Sequence, residues 1–263
     1  MNISCIQMDM RFNDPDYNFA HAEELVRAAV SSECPDVVIL PETWNTGFFP
    51  KDLASCADTD GARTKTVFSA LARELNVNIV CGSVANRRSD GFYNTAYVFD
   101  RAGAAAAEYH KTHLFTYAGE HTYFRPGTRA CRFELDGARC GLIICYDLRF
   151  PELTRTLALQ GTDLIFVAAQ WPEKRIMHLE TLARARAIEN QVFLALCNSV
   201  GADDQEARCG GRSAVLDPWG EYLAKAGDRE EIITGKADFS IVEGIRSSIN
   251  VFRDRRPELY HIQ

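Results

Sequence analysis

Long apolar runs are missing from this chain of 263 residues. The nearest approach, Leu164–Ala169, is far short of the ~20 apolar residues that a spanning helix needs, so no membrane segment is expected. The N-terminus has no basic start followed by an apolar core, and its first Lys or Arg is Arg11, so no signal peptide is expected. Positive charge is nowhere concentrated. The 36 acidic and 29 basic residues leave a formal charge of −7, and nucleic acid, whose binding rests on phosphate neutralisation, is not an expected partner. Repeats, low-complexity tracts and Pro/Ser-rich linkers are also absent. Ala102–Ala107 is rich in small residues but too short to link domains, so residues 1–263 read as one domain. The nine cysteines are odd in number, scattered and without a CxxC pair, which fits neither a disulfide framework nor a zinc site. Reduced, mostly buried thiols in a cytoplasmic protein fit best.

What is present is a composition of 46% hydrophobic and 25% charged residues, ordinary for a globular domain. Strand and helix signals alternate. Ile3–Met8 reads as a strand entering the core, Val37–Leu40 and Asp163–Ala168 as buried strands, and Val192–Asn198 as a further strand. Tyr17–Ser31, Arg63–Leu75, Glu152–Gln160 and Glu173–Asn190 carry apolar residues at helical spacing. Val77–Val84 and Phe92–Asp100 read as strands parted by a polar turn. Arg132–Leu135 and Arg139–Cys145 flank Asp136-Gly137, a two-residue hairpin signal. Gly211–Asp217, Glu221–Ala224 and Ile232–Ala237 make the C-terminal half rich in strands. An α/β fold, with one mixed sheet or two mixed sheets packed face to face and helices outside, is expected.

Three segments end a buried strand in a polar residue beside a turn: Val37–Glu42, Glu108–Phe115 and Gly141–Asp147. In α/β proteins, reactive groups cluster beyond the carboxyl ends of such strands. Glu, Lys and Cys together suffice for acyl transfer. A thiol needs a base, a desolvated carboxylate can serve as one, and an ammonium can stabilise an oxyanion. Taken singly, each has a plainer reading: Glu42 as a cap or salt-bridge partner, Lys111 as a surface charge, Cys145 as a core thiol.

The residues themselves carry more. Leu40-Pro41-Glu42-Thr43-Trp44, Tyr109-His110-Lys111-Thr112-His113-Leu114-Phe115 and Gly141-Leu142-Ile143-Ile144-Cys145-Tyr146-Asp147-Leu148-Arg149-Phe150-Pro151-Glu152 resemble the nitrilase superfamily of carbon–nitrogen hydrolases. Ala183–Gln191, Gly211-Arg212-Ser213 and Asp217-Pro218-Trp219-Gly220 continue the resemblance over nearly the whole chain. It implies a four-layer α-β-β-α sandwich, two mixed sheets packed face to face with helices outside. It also implies Glu42 as general base, Lys111 as oxyanion stabiliser, Cys145 as nucleophile, and Glu120 as a second carboxylate that keeps Lys111 charged and orients the substrate amide. The backbone N–H of Tyr146 would complete the oxyanion site. No metal or organic cofactor is implied, and a homodimer formed through helices near the nucleophile is.

Ala169–Arg175, the Glu120-His121 region and Ile249–Tyr260 are similar to bacterial omega-amidases, which cleave the side-chain amide of 2-oxoglutaramate or 2-oxosuccinamate. A small amide carrying a 2-oxo acid is then the expected substrate, with Arg175 as partner of its carboxylate or, failing that, a solvated residue on a helix's first turn. Trp44 and Trp171 are either core or pocket wall. His110 and His113 lie on a strand-and-turn segment and fall short of a metal ligand set. Asp147 and Arg149 read as framework ion pairs that fix the nucleophile turn, and Glu189 as the partner of a framework arginine. The alternatives are hydrolysis of an N-carbamoyl amino acid, another amide or a nitrile, and a redox-sensing module without turnover.

Overall fold

A computed structural model describes residues 1–48, 50, 52–202 and 208–260. In chain order the first half supplies β1 (Asn2–Gln7), α1 (Pro15–Glu33), β2 (Val37–Ile39), α2 (Leu53–Cys56), β3 (Asp58–Thr59), α3 (Ala62–Leu75), β4 (Asn78–Val80), β5 (Val84–Arg88), β6 (Gly91–Phe99) and β7 (Ala105–His110). The second half supplies β8 (Cys131–Leu135), β9 (Ala138–Ile144), α4 (Pro151–Leu159), β10 (Leu164–Ala169), α5 (Ile176–Asn190), β11 (Phe193–Asn198), β12 (Ala214–Leu216), β13 (Tyr222–Lys225), β14 (Glu231–Lys236) and α6 (Ser240–Ser248).

Two mixed sheets result. One runs β14-β1-β2-β4-β6-β5-β3 with β7 on the far edge of β6, and the other runs β13-β12-β11-β10-β9-β8. Strands buried on both faces explain the continuous apolar runs. On β1 and β2, Ile3, Cys5, Val37 and Ile39 face the core shared with the second sheet. Ile6 and Val38, one pleat away, face α1 and α3 through Phe19, Ala22 and Phe68. On the other side, Leu157 of α4 and Leu179 and Ala183 of α5 cover the second sheet. The layers are therefore α-β-β-α.

Most expected elements are present with shifted ends. The Asp136-Gly137 turn has φ of 48° and 80°, both positive as the hairpin signal requires. Three differences have physical causes. The single strand expected over Val77–Val84 is broken into β4 and β5 at Gly82, where φ is +57°. A side chain there would put its Cβ 1.9 Å from the Pro41 carbonyl oxygen, so only glycine lets the two backbones meet. The helix expected over Glu173–Asn190 starts as a 3-10 turn, Glu173–Arg175, and becomes α-helical at Ile176. The third is α6, which Phe239 and Val242 pack onto the core although the sequence reading assigns no helix there.

Candidate active site

The carboxyl ends of β2, β9 and β10 meet where the two sheets abut. There the Glu42 amide donates to the Ala169 carbonyl at 3.3 Å. The turn after β2 is held from below by the Gly82 kink. Ser83 N–H donates to the Pro41 carbonyl at 2.9 Å, and Thr43 N–H donates to Ser83 Oγ at 3.0 Å. The Glu42 side chain is fully buried. Its Oε1 accepts from Lys111 Nζ at 2.7 Å and from Asn94 Nδ2 at 2.8 Å, and its Oε2 accepts from the Gln170 amide at 3.0 Å.

Lys111, just beyond β7, is also fully buried. Its ammonium donates to both Glu120 oxygens, at 2.8 and 2.9 Å, as well as to Glu42. Glu120 opens a 3-10 turn after Gly119 and takes a further hydrogen bond of 2.6 Å from Phe115 N–H. Asn94 Nδ2, at 3.2 Å, joins Glu120 to Glu42. Two carboxylates thus share one ammonium out of contact with solvent. Burial would strip the Lys111 proton, but Glu42 and Glu120 outweigh it and hold the ammonium well above its ordinary range. Glu42 goes the other way. Burial first and the charge of Glu120 next raise it above the usual carboxylate range, against the pull of Lys111.

Cys145 follows β9 at φ +46°, a left-handed conformation that turns the chain sharply into a 3-10 segment, Cys145–Arg149. Burial and the neighbouring Glu42 raise the Cys145 thiol well above its ordinary value, so at neutral pH the sulfur carries its proton beside a carboxylate that can take it. Asp147 anchors this turn. It accepts from Ile144 N–H at 3.0 Å, from Tyr109 Oη at 2.7 Å, from Thr112 Oγ1 at 3.0 Å and from His113 N–H at 2.9 Å. One buried carboxylate therefore ties the cysteine turn to the residues on either side of Lys111.

A cavity of about 420 Å³ opens over Cys145. Tyr146, Trp171 and Arg175 line it, with Met10, Phe115 and Tyr117 among the apolar walls. Trp171 is both wall and core: 3% exposed, its Nε1 donating to the Arg175 carbonyl at 2.9 Å. The Arg175 guanidinium lies 5.5 Å from the ring centres of Phe115 and of Tyr117. Trp44 is core alone. It is fully buried, donates to the Cys81 carbonyl at 2.7 Å and packs edge-on to Phe19 and Phe68 behind the first sheet, which removes it from the pocket wall.

Arg149 is not the framework ion pair the sequence suggests. It faces the cavity, with its guanidinium 4.5 Å from the Trp171 ring centre and close enough to Arg175 to feel its charge. Among the described residues, neither arginine meets a carboxylate. Glu189 does pair with a framework arginine, Arg186, at 2.9 Å. His110 bonds Thr95 and His113 bonds Asp147, and no group of three or more potential ligands for a metal ion occurs among the described residues. Sequence reasoning gives no role to Asn94 or, within Ala169–Arg175, to Gln170. A lone Asn at the start of the apolar run Ala96–Phe99, and a Gln closing the apolar strand β10, are the signals that mark them.

Residues 2–247 match the family model for carbon-nitrogen hydrolases. The chain belongs to that family. Carbon-nitrogen hydrolases similar to it include a protein named 2-oxoglutaramate amidase from Bacillus subtilis (strain 168), 40% identical over 98% of both chains. Another of that name, from Paenarthrobacter nicotinovorans, is 37% identical over 86% of this chain and 80% of its own. A solved carbon-nitrogen hydrolase from Xanthomonas campestris, with an arsenic adduct in its active site, superposes with a TM-score of 0.91 at 30% identity, covering 100% of this chain and 99% of that one. The chain is thus a hydrolase of non-peptide carbon–nitrogen bonds, with the nitrilase-type sandwich. No described helix is long and apolar enough to cross a membrane.

Proposed function

We propose that this enzyme hydrolyses the terminal amide of a small 2-oxo acid, 2-oxoglutaramate or 2-oxosuccinamate, through a thioester on Cys145. The charge layout of the cavity carries the reading. Cys145 lines the cavity, and behind the thiol lies a buried proton-accepting cluster, Glu42, Lys111 and Glu120. At the cavity wall stand two guanidiniums, Arg149 and Arg175, with no carboxylate to neutralise them among the described residues. Two cations on aromatic walls suit a small substrate whose far end is an anion, since arginine binds a carboxylate in planar, bidentate fashion. The relatives named 2-oxoglutaramate amidase agree with that substrate class.

Each step uses this chain's own groups. Glu42 takes the Sγ proton as the sulfur bonds the amide carbon. The oxyanion is met by Lys111 and by the Tyr146 amide, one of the N–H groups that the first turn of a helical segment leaves without an internal acceptor. Protonated Glu42 gives its proton to the nitrogen, the C–N bond breaks and ammonia leaves. Water, losing a proton to Glu42, attacks the thioester carbon. The C–S bond breaks and Glu42 returns the proton to sulfur. Glu120 keeps Lys111 charged throughout.

We further read residues 1–263 as one domain and the protein as a cytoplasmic homodimer. Exposed Met177 and Ile188 on α5 support pairing near the nucleophile. The test is ammonia release over a panel of 2-oxo acid amides, N-carbamoyl amino acids and nitriles. Turnover confined to the 2-oxo acid amides is expected. Preference for N-carbamoyl amino acids or nitriles overturns the substrate, and reversible oxidation of Cys145 with no turnover of any of them overturns the reaction.

A further inference from the structure

One side chain that lines the cavity has a polar atom with no work in the scheme above. Gln170, 7% exposed, closes β10 and lines the cavity beside Cys145. Its amide N–H serves Glu42 at 3.0 Å and also bears on the Cys145 sulfur. Its side-chain nitrogen points away from the reacting groups, to Met10 Sδ at 2.8 Å. Its side-chain oxygen is buried and receives no hydrogen bond among the described residues. Turning the amide over does not help, because the oxygen would then face a thioether, which donates nothing. A buried carbonyl oxygen without a donor is costly and calls for an explanation, and on a residue that lines the cavity beside Cys145 a ligand donor supplies one.

From this we infer that Gln170 is a specificity-determining residue whose side-chain oxygen accepts a hydrogen bond from the NH2 group of the scissile amide. The chemistry of the substrate class selects that partner. A primary amide bearing a 2-oxo acid has acceptors at its amide oxygen, its ketone and its carboxylate. Its only donors are the two N–H bonds of the amide. An acceptor on the same residue whose N–H holds Glu42 and bears on Cys145 is therefore matched to the leaving nitrogen. It rewards a primary amide over any isostere that lacks N–H, because discrimination is steep where a site built for a hydrogen bond is left without one. The inference rests on the proposed function, since it names which end of that substrate meets which group.

The test is a binding comparison in the Cys145→Ala protein, where no turnover intervenes. The ligands are 2-oxoglutaramate and 2,5-dioxohexanoate, in which a methyl group replaces the NH2 at nearly the same size. Calorimetry gives Kd for each, with and without Gln170→Met, and thermal melts confirm that each variant is folded. Should Gln170→Met fail to fold, Gln170→Ala is read in the same way. Loss of the acceptor is expected to weaken the amide about tenfold and leave the methyl ketone unchanged. Equal weakening of both ligands overturns the inference, assigning Gln170 to packing or to the shared 2-oxo acid, and so does no change in either. If the Cys145→Ala protein binds neither ligand, the substrate class itself falls and this inference with it. Binding of both with equal losses leaves the substrate class standing.

Discussion

Lys111→Met removes the cation that two buried carboxylates share. The side chain that replaces it has similar length and fills the same volume, so the perturbation is electrostatic. Three short hydrogen bonds, at 2.7, 2.8 and 2.9 Å, disappear together, and Glu42 and Glu120 are left facing each other with no exposure to water. Breaking a buried ion pair from one side costs about 3–5 kcal/mol. At about 2–4 °C per kcal/mol for a chain near this size, the melting temperature should fall by about 6–20 °C at pH 8. The pH dependence separates this cause from lost packing. Lys111 is held above its ordinary range, so its stabilisation is fully present throughout pH 5–8 and would be lost only at far higher pH. Glu42 titrates differently. Its folded-state value, already raised by burial, rises further without the ammonium, and a raised carboxylate favours the folded state at low pH and loses that contribution as pH rises through the folded value. The deficit of the variant should therefore shrink steadily from pH 8 to pH 5. Calorimetric melts of both proteins at pH 5, 6.5 and 8 measure it. A deficit equal at all three values, or no deficit at pH 8, would refute the electrostatic account of the cluster.

Glu42→Gln should lower turnover by at least ~10²-fold, the scale of general base catalysis. Because the Glu42 carboxylate is raised by burial, its ionised form costs stability at pH 8. The variant should melt no lower than the native protein there, and the gap should close as pH falls; native turnover would assign the base elsewhere, and a lower melting temperature at pH 8 would refute the raised carboxylate. Cys145→Ala should abolish turnover with the fold intact by circular dichroism, and substantial residual ammonia release in it counts against a thioester. Arg175→Leu and Arg149→Leu, each removing a charge-assisted contact of about 1.5–3 kcal/mol, should lower kcat/KM for 2-oxo acid amides about 10- to 150-fold. An uncharged amide of equal length should be much less affected, and equal losses on both substrates would take the arginines out of carboxylate binding.

The catalytic segments are legible because each couples a strand pattern to a polar terminus in consecutive residues. Val37–Glu42 and Gly141–Cys145 announce buried strands by their apolar runs and announce their ends by the residue that breaks the run. What the sequence hides is the direction of side chains that follow a turn. Trp44 stands two residues after Glu42, and in an extended chain the two would share a face. Thr43 sits at φ +40°, which reverses the chain and sends the indole behind the sheet among Phe19 and Phe68. Nothing in the side chain of Thr43 signals a positive φ, because threonine rarely adopts one.

Arg149 is hidden for a different reason. With 3.6 residues per turn, a residue four after Cys145 would lie beside it. The segment is a 3-10 turn, however, where residues three apart eclipse. Cys145 then aligns with Leu148, which points into the core, and Tyr146 aligns with Arg149, and both of these line the cavity. The winding of five residues decides whether the guanidinium braces the framework or faces the substrate. That winding is fixed by Asp147, whose bonds to Tyr109, Thr112 and His113 come from a strand and turn more than thirty residues away. A contact of that range cannot be read from local spacing. Arg149 becomes a cavity residue only once the cysteine turn and the lysine turn are placed side by side.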